Sequence, residues 1–529
     1  MRIASTVAKT APPAAPGGGV ADIVGQLHQQ QMRHRRIERL RTLQFWWYPI
    51  SLVILGGLVA AVMGQSVLDL PKVTIGILIG LPLLFLTCKR LEFGLLIFAI
   101  SVSPFIPSAL KVSTLYVSPA IPILLLLFFL VLLQTAFHVK KPIVPSLRTI
   151  WPLYGLAIMA IISGIQAQAT WLYMVPHQIL GNPIAFEEGV GIVLYFIPLI
   201  VVYTVTASLT KREQWIQHIQ IAYIVLALMD SALLIFEFKH ISANIYTFRY
   251  TSPSIGWIPL EALAQLLVLG CILAYGRFLY ATRWKPRIIY GASLLVCLLA
   301  LYVSLENSWW LEGGIALFVM TLVYSRRLFA VLCVAGLPLL PLVRAFLQKL
   351  QSVKSVDALR LTIWQDMLRA WSKRPVMGVG PGNLWAYDQT FTHLPQGLRE
   401  FAKSGLGVAH EGYLQTLGEL GPLGLFFQVA FIVLLIIAAA RLFRRSRPLI
   451  NQEMRNDRIL GLVGLGLVCG SAAGDLVAGY FFLPPRQSLH VASLPQALIT
   501  WVIYSCVVYK DQLWRMARRG LRIEVYETG

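Results

Sequence analysis

Residues 407–421, "GVAHEGYLQTLGELG", gather His410, Glu411 and Glu419 among four glycines, just ahead of a long apolar run. An imidazole that is neutral near pH 7 can take a proton from an attacking hydroxyl; a lone loop histidine is usually an ordinary surface residue. Upstream, "DALRLTIWQDMLRAWSKRPVMG" carries Arg360, Arg369, Lys373 and Arg374, and Arg249 lies in "YTFRYTSPSIGW". A guanidinium stays charged and offers a planar fork that matches a diphosphate. For Arg360, a salt bridge to Asp357 or a lipid contact stands beside that role. The stretch has apolar residues at a spacing near 3.6, which predicts a helix ended by Pro375; Arg360 and Trp364, four apart, share a face. Between them and the histidine, "GVGPGNLW" (378–385) sets Gly380, Pro381, Gly382 and Asn383 in a polar turn. Glycines there let backbone N–H groups approach a ligand, and a tight turn between two helices explains them equally well. The pattern is neither a Walker loop nor a GxGxxG opening a helix.

The elements that position these residues follow from composition. Hydrophobic residues make up 57% of the 529 and charged residues 13%, with mean hydropathy +0.69. A soluble chain carries about 25% charge, so this is an integral membrane protein. About 20 apolar residues span a bilayer, and that test predicts an all-α polytopic fold of about fourteen transmembrane helices (12–14). Eleven runs fall within 46–345 and three within 417–508. Residues 1–45 form a basic, flexible arm without the short apolar core of a cleavable signal, and 509–529 a basic tail. One long loop, 346–416, separates the two groups of spans.

Charge orients them. With the N-terminus inside, the cytoplasmic segments hold 31 of the 45 Lys and Arg, while the short outer loops hold only Lys72, Lys111, Lys239, Arg249 and Arg486. The other nine lie in or beside the long loop, where the positive-inside bias is weak. Both termini are therefore expected in the cytoplasm and the long loop outside, in the inner (plasma) membrane. The net charge of +21 reads as topology signals facing anionic lipid rather than a nucleic-acid surface. The six cysteines show no CxxC or metal-ligand spacing and read as packing residues.

A carboxylate within a span costs about 2.5 kcal/mol or more and is by default a functional candidate. On this topology Asp230, Glu237, Glu261, Glu306, Glu312, Glu419 and Asp475 all fall toward the outer side. Single acids near an interface simply reach water; their one-sided distribution points to a polar cavity open outward, with Glu306, Glu312 and Asp475 as candidate sugar-binding acids.

Taken together, "R…W…P…GVGPGN…AHEGYLQTLGELGPLGL" resembles the signature of the O-antigen ligase and O-antigen polymerase superfamily, over roughly 355–425. "FRYTSPSIGWIPLEALAQ" is similar to the family's segment ahead of a later span. The resemblance implies a GT-C-like membrane glycosyltransferase whose long outer loop carries the motif. Such enzymes move a glycan from an undecaprenyl-diphosphate-type carrier to an acceptor hydroxyl, with inversion and with no metal, nucleotide sugar or other cofactor. It implies that Arg360 grips the donor diphosphate and His410 positions or deprotonates the acceptor. Gly380, Pro381, Gly382 and Asn383 correspond to the turn, and Glu419 and Gly421 to the motif's end. Two departures stand out. The family usually has His-Asn where this chain has His410-Glu411, which leaves Glu411 to orient the ring or raise its pKa. Many members carry Ser-Arg-Gly before the loop, where "SLENSWWLEGG" has no arginine; Arg249 is the candidate substitute.

The implied partners are a lipid-diphosphate-linked oligosaccharide donor, a glycan, lipid or protein acceptor, and membrane lipid. Polymerase, ligase and protein O-oligosaccharyltransferase differ only in the acceptor. The rival class is a transporter or flippase of the same lipid-linked sugars. Against it stand the absence of an internal repeat and a long loop with no use in alternating access. A third class is a non-catalytic partner in cell-envelope synthesis.

Overall fold

Among the described residues the long apolar runs fold as helices, because a backbone away from water must satisfy its N–H and C=O groups within its own segment. A computed structural model describes residues 91–100, 110–112, 115–117, 120–136, 147–174, 201–209, 213–241, 254–255, 258–304, 307–336, most of 364–380, 411–446, 452–476 and 494–518. All belong to one unit, Leu91–Gly529. The N-terminal arm, the first two expected spans, and Arg249, Glu306, Arg360, Pro381, Gly382, Asn383 and His410 lie outside the described residues.

The principal helices of the described residues are α1 (Glu92–Ile100), α2 (Ala120–Ala136), α3 (Leu147–Met174), α4 (Glu213–Ile241), α5 (Leu260–Tyr280), α6 (Trp284–Ser304), α7 (Asn307–Tyr324), α8 (Arg326–Gly336), α9 (Gly412–Arg445), α10 (Gln452–Gly474) and α11 (Leu494–Arg518), and residues 201–209 are helical as well. Two antiparallel hairpins, Leu110–Val112 with Leu115–Val117 and Ser254–Ile255 with Ile258–Pro259, are the described strands. Among the described residues, five helical stretches are long and apolar enough to cross a bilayer, in α4, α5, α6, α9 and α10. The helical, polytopic class expected from the sequence is therefore present in the described part.

The outer surface carries the same message. Ile165, Leu295 and Val334 are each at least 63% exposed, and no residue of α8 is buried. Apolar side chains facing outward on several helices suit contact with lipid. Helix α5 is the buried centre, packed against α4, α6, α7 and α10.

The two ends of the bundle differ in charge. At one, Arg441, Arg445 and Arg515 surround the buried Asp511 at 2.9, 3.3 and 3.2 Å, and Lys510 meets Asp457 at 3.2 Å. These pairs carry the helices past their apolar runs: α10 starts at Gln452 rather than near 459, and α11 runs on to Arg518 rather than stopping near 508. At the other end lie Glu312, Gly412 and Asp475. Helices α7 and α10 approach closely there, because Gly466, Gly470 and Gly474 line one face of α10 at four-residue spacing. A Cβ on them would fall 2.5 Å from Met320 Cγ, 2.6 Å from Glu312 O and 3.1 Å from Glu312 Oε2, respectively. Small residues at this spacing let two membrane helices pack backbone to backbone.

Candidate active site

The site is built on a helix that breaks. Within α9, Gly421 has φ 71° and ψ −173°, and Pro422 follows it. Proline has no N–H to return to the carbonyl four residues back, which is Gly418 O, and the turn at Gly421 interrupts the ladder beside it. Buried carbonyls must find donors elsewhere. They find them on a strap, residues 374–380, that crosses the break. Val379 N–H donates to Gly418 O at 2.9 Å and Gly380 N–H to Glu419 O at 3.0 Å.

The crossing is backbone against backbone. Gly378 (φ 69°) and Gly380 (φ 97°) take conformations that other residues rarely adopt. A Cβ on Gly421 would lie 2.2 Å from Val376 O, and one on Gly378 would lie 2.5 Å from Glu419 O. The N–H groups of Val379 and Gly380 thus serve the broken helix. The ligand-facing cradle considered for this turn is not what these two amides form. Ahead of the strap, residues 364–365, 367–369 and 371–372 are helical, in line with the helix predicted up to Pro375. Arg374 N–H and Gly378 N–H then close successive turns onto Trp371 O (2.8 Å) and Arg374 O (3.0 Å).

The start of α9 lies at 412, five residues earlier than the apolar run suggests. Glu411 is its cap: extended backbone (φ −157°, ψ 112°) with a side-chain oxygen accepting from Leu414 N–H. That satisfies one of the orphan donors of a helix start. Burial pushes the Glu411 carboxyl above the usual carboxylate range, and the N–H groups of Leu414 and Tyr413 pull it back. An asparagine here would cap equally well, so the departure from His-Asn to His410-Glu411 preserves the cap.

A buried polar network braces this helix start. Gly412 N–H donates to Asp475 O at 2.7 Å, and a Cβ on Gly412 would meet the Asp475 carboxyl carbon at 2.6 Å. Gln428 Nε2 donates to Asp475 Oδ2 (2.9 Å), and Tyr413 OH to Ala472 O (2.8 Å). One turn back on α10, Ser471 Oγ donates to Glu312 Oε1 at 2.6 Å and receives Tyr504 OH at 3.1 Å. Glu419, two turns into α9, is buried and takes Gln415 Nε2 at 3.4 Å. Apart from this network, Asp230 of α4 is fully buried and its carboxylate oxygens have no hydrogen-bond partner among the described residues.

The structure therefore brings Gly380, Glu411, Glu419, Gly421, Glu312 and Asp475 to one end of the bundle. Ser163, Gly412, Gln428, Ser471 and Tyr504 join them without having been singled out. The "ELGPLG" run held the one legible signal, a Gly-Pro pair inside an apolar helix. Nothing in the spacing marks the other residues.

This arrangement defines a polytopic membrane protein with a broken helix strapped by a loop segment from its own long connection. Residues 292–429 match the family model described as O-Antigen ligase. The match begins in α6, covers α7 and the strap, and ends beyond the break in α9. It bears out the resemblance to the O-antigen ligase and polymerase superfamily over that stretch. No curated protein matches the chain.

Proposed function

We propose that the protein is a GT-C-like glycosyltransferase that moves a glycan from an undecaprenyl-diphosphate-type carrier to an acceptor hydroxyl, with inversion. The transfer takes place at the outer face of the plasma membrane. The observation that carries this reading is that the O-antigen ligase match, 292–429, runs through both segments that cross at the broken helix. Those segments lead directly to Arg360 on one side and His410 on the other. Arg360, helped by Arg249, neutralises the diphosphate as it leaves, where preorganised positive charge lowers a barrier most. His410 takes the acceptor proton as the new glycosidic bond forms at the anomeric carbon and the carbon–phosphate oxygen bond breaks. Of the three candidate sugar-binding acids, Glu312 and Asp475 are buried and bonded to Ser471 and Gln428, which leaves Glu306 to supply hydrogen bonds to sugar hydroxyls. The bundle end that carries Arg441, Arg445, Lys510 and Arg515 faces the cytoplasm, as positive charge does.

The test is purified protein in lipid vesicles, with an undecaprenyl-diphosphate oligosaccharide and chelator, and products resolved by size. A ladder of longer glycans identifies a metal-independent polymerase; transfer only to an added lipid or protein acceptor identifies a ligase or an oligosaccharyltransferase. His410→Ala and Arg360→Ala each abolish transfer while leaving the protein folded. Near-normal turnover in either variant removes the role assigned to it. Translocation of the donor without transfer would make the protein a flippase.

A further inference from the structure

Ser163 lies deep in α3, in an apolar run that carries no other sign of function. Helix α3 packs antiparallel to α9: Gly155 sits against the Phe427 ring, at 2.6 Å from where its Cβ would be, and Trp151 meets Phe427 edge to face. Eight residues further along α3, and eight back along α9, the same contact brings Ser163 to Glu419, at the break. Buried serines in apolar helices ordinarily bond to their own preceding turn. Ser231, Ser446 and Ser505 do so here, each donating to the carbonyl four residues back. Ser163 does not follow them. Its Oγ lies 2.8 Å from Met377 O and 2.8 Å from Glu419 O, one on the strap and one on the broken helix. Glu419 O also accepts from Gly380 N–H, so the single hydroxyl proton is shared across the crossing and ties both segments to α3.

We propose that Ser163 is a positioning residue for glycan transfer. Its hydroxyl holds the strap on the broken helix and so sets the segment leading back to Arg360 against the helix start that follows His410. The role rests on the function proposed above. The hydroxyl acts through the strap and the broken helix, and fastening those two segments is what brings Arg360 and His410 into register. Misplacing reacting groups by about 1 Å costs on the order of 100-fold in rate, and that is the scale expected when the fastening is lost.

The experiment uses the full-length protein in vesicles, as wild type, Ser163→Ala and Ser163→Thr, with transfer kinetics from the lipid-diphosphate donor and hydrogen exchange on the same samples. For Ser163→Ala, kcat falls roughly 30- to 100-fold with donor KM little changed. The amides of 379–380 exchange faster while those of α5 and α10 stay protected. Ser163→Thr keeps a hydroxyl and recovers most of both. Wild-type kcat, or unchanged exchange at 379–380, in Ser163→Ala overturns the role. Faster exchange throughout α5 and α10 also overturns it, because the serine would then be a general packing residue. Wild-type protein that transfers no glycan to any acceptor overturns the functional reading and this role together. Active wild type with an unimpaired alanine variant overturns this role alone.

Discussion

Gly421→Ala is the sharpest probe of the crossing. Its φ of 71° with ψ of −173° lies in a region that is essentially glycine's alone, and forcing another residue there costs about 1–3 kcal/mol. The added Cβ also falls 2.2 Å from Val376 O and 2.8 Å from Val376 C, backbone atoms that cannot rotate aside. The overlap is relieved only if the strap lifts, which breaks the bonds from Val379 N–H to Gly418 O and from Gly380 N–H to Glu419 O. Each buried group left unpaired costs about 1–3 kcal/mol. Those bonds are lost in wild type too whenever the strap opens, so what shifts the opening equilibrium is the overlap, which burdens the closed strap alone by about 1–3 kcal/mol. Every 1.4 kcal/mol is tenfold in an equilibrium, so strap opening rises by about 5- to 140-fold. Hydrogen exchange at 379–380 measures it directly, with Gly314→Ala as the control, since a Cβ there meets nothing within 4 Å. The control keeps wild-type exchange and transfer; Gly421→Ala loses both. Slow exchange at 379–380 and an unchanged Tm in Gly421→Ala would refute the backbone crossing.

Two further predictions concern the start of α9. Glu411→Ala removes the cap and destabilises by about 0.5–2 kcal/mol, whereas Glu411→Gln keeps an accepting oxygen and sheds a buried charge. The folded carboxyl sits above its ordinary value because of burial. The native state therefore holds the proton more tightly, and wild-type stability falls as pH rises from about 4.3, the unperturbed value, through the raised one. The stability of Glu411→Gln relative to wild type grows over that interval, and melting curves from pH 4 to 8 check it; a gap that shrinks with pH contradicts the sign. Gly412→Ala drives a Cβ to 2.6 Å from the Asp475 carboxyl carbon. It shifts the helix start and costs about 1–3 kcal/mol of stability, with transfer falling more than Tm explains; full activity would show that this contact positions nothing.

Among the described residues the membrane-length helices were legible, since apolar runs announce them. The start of α9 was not, because Gln415 and Thr416 look like loop residues to a hydropathy window yet are 4% and 1% exposed. Their polarity is internal to the helix: Gln415 Nε2 donates to Glu419 Oε1 at 3.4 Å and Thr416 Oγ1 to Gly412 O at 2.8 Å. The fate of "GVGPGN" was half legible. Glycines in "GVG" advertised a close backbone approach, but the thing approached is a helix break some forty residues on, and only the fold pairs them. Ser163 was invisible, for a serine in an apolar helix usually serves its own turn. Glu312 and Asp475 stood out as acids in spans, and what sequence could not supply was their bonding to Ser471 and Gln428.

The break and the strap depend on one another, and that dependence can be cut. In water, Gly418 O and Glu419 O could leave the helix ladder and be solvated; buried, they need donors. A Gly421→Ala/Pro422→Ala double variant offers the alternative. Alanine at 421 can relax to helical φ once residue 422 regains an N–H and loses the ring that clashes with the preceding turn, a penalty of about 3 kcal/mol in a helix interior. Gly418 O and Glu419 O then find partners inside a continuous α9 and no longer call on Val379 and Gly380. The double variant is therefore more stable than Gly421→Ala alone, by about 2–3 kcal/mol on that reasoning. On the proposed function it nevertheless remains inactive, because the strap that leads back to Arg360 has lost its seat. Thermal unfolding and transfer assays on the single and double variants decide the matter. A double variant that recovers transfer along with stability would mean that the break serves only packing, and a double variant less stable than the single would mean that the carbonyls at 418 and 419 are not what holds the strap.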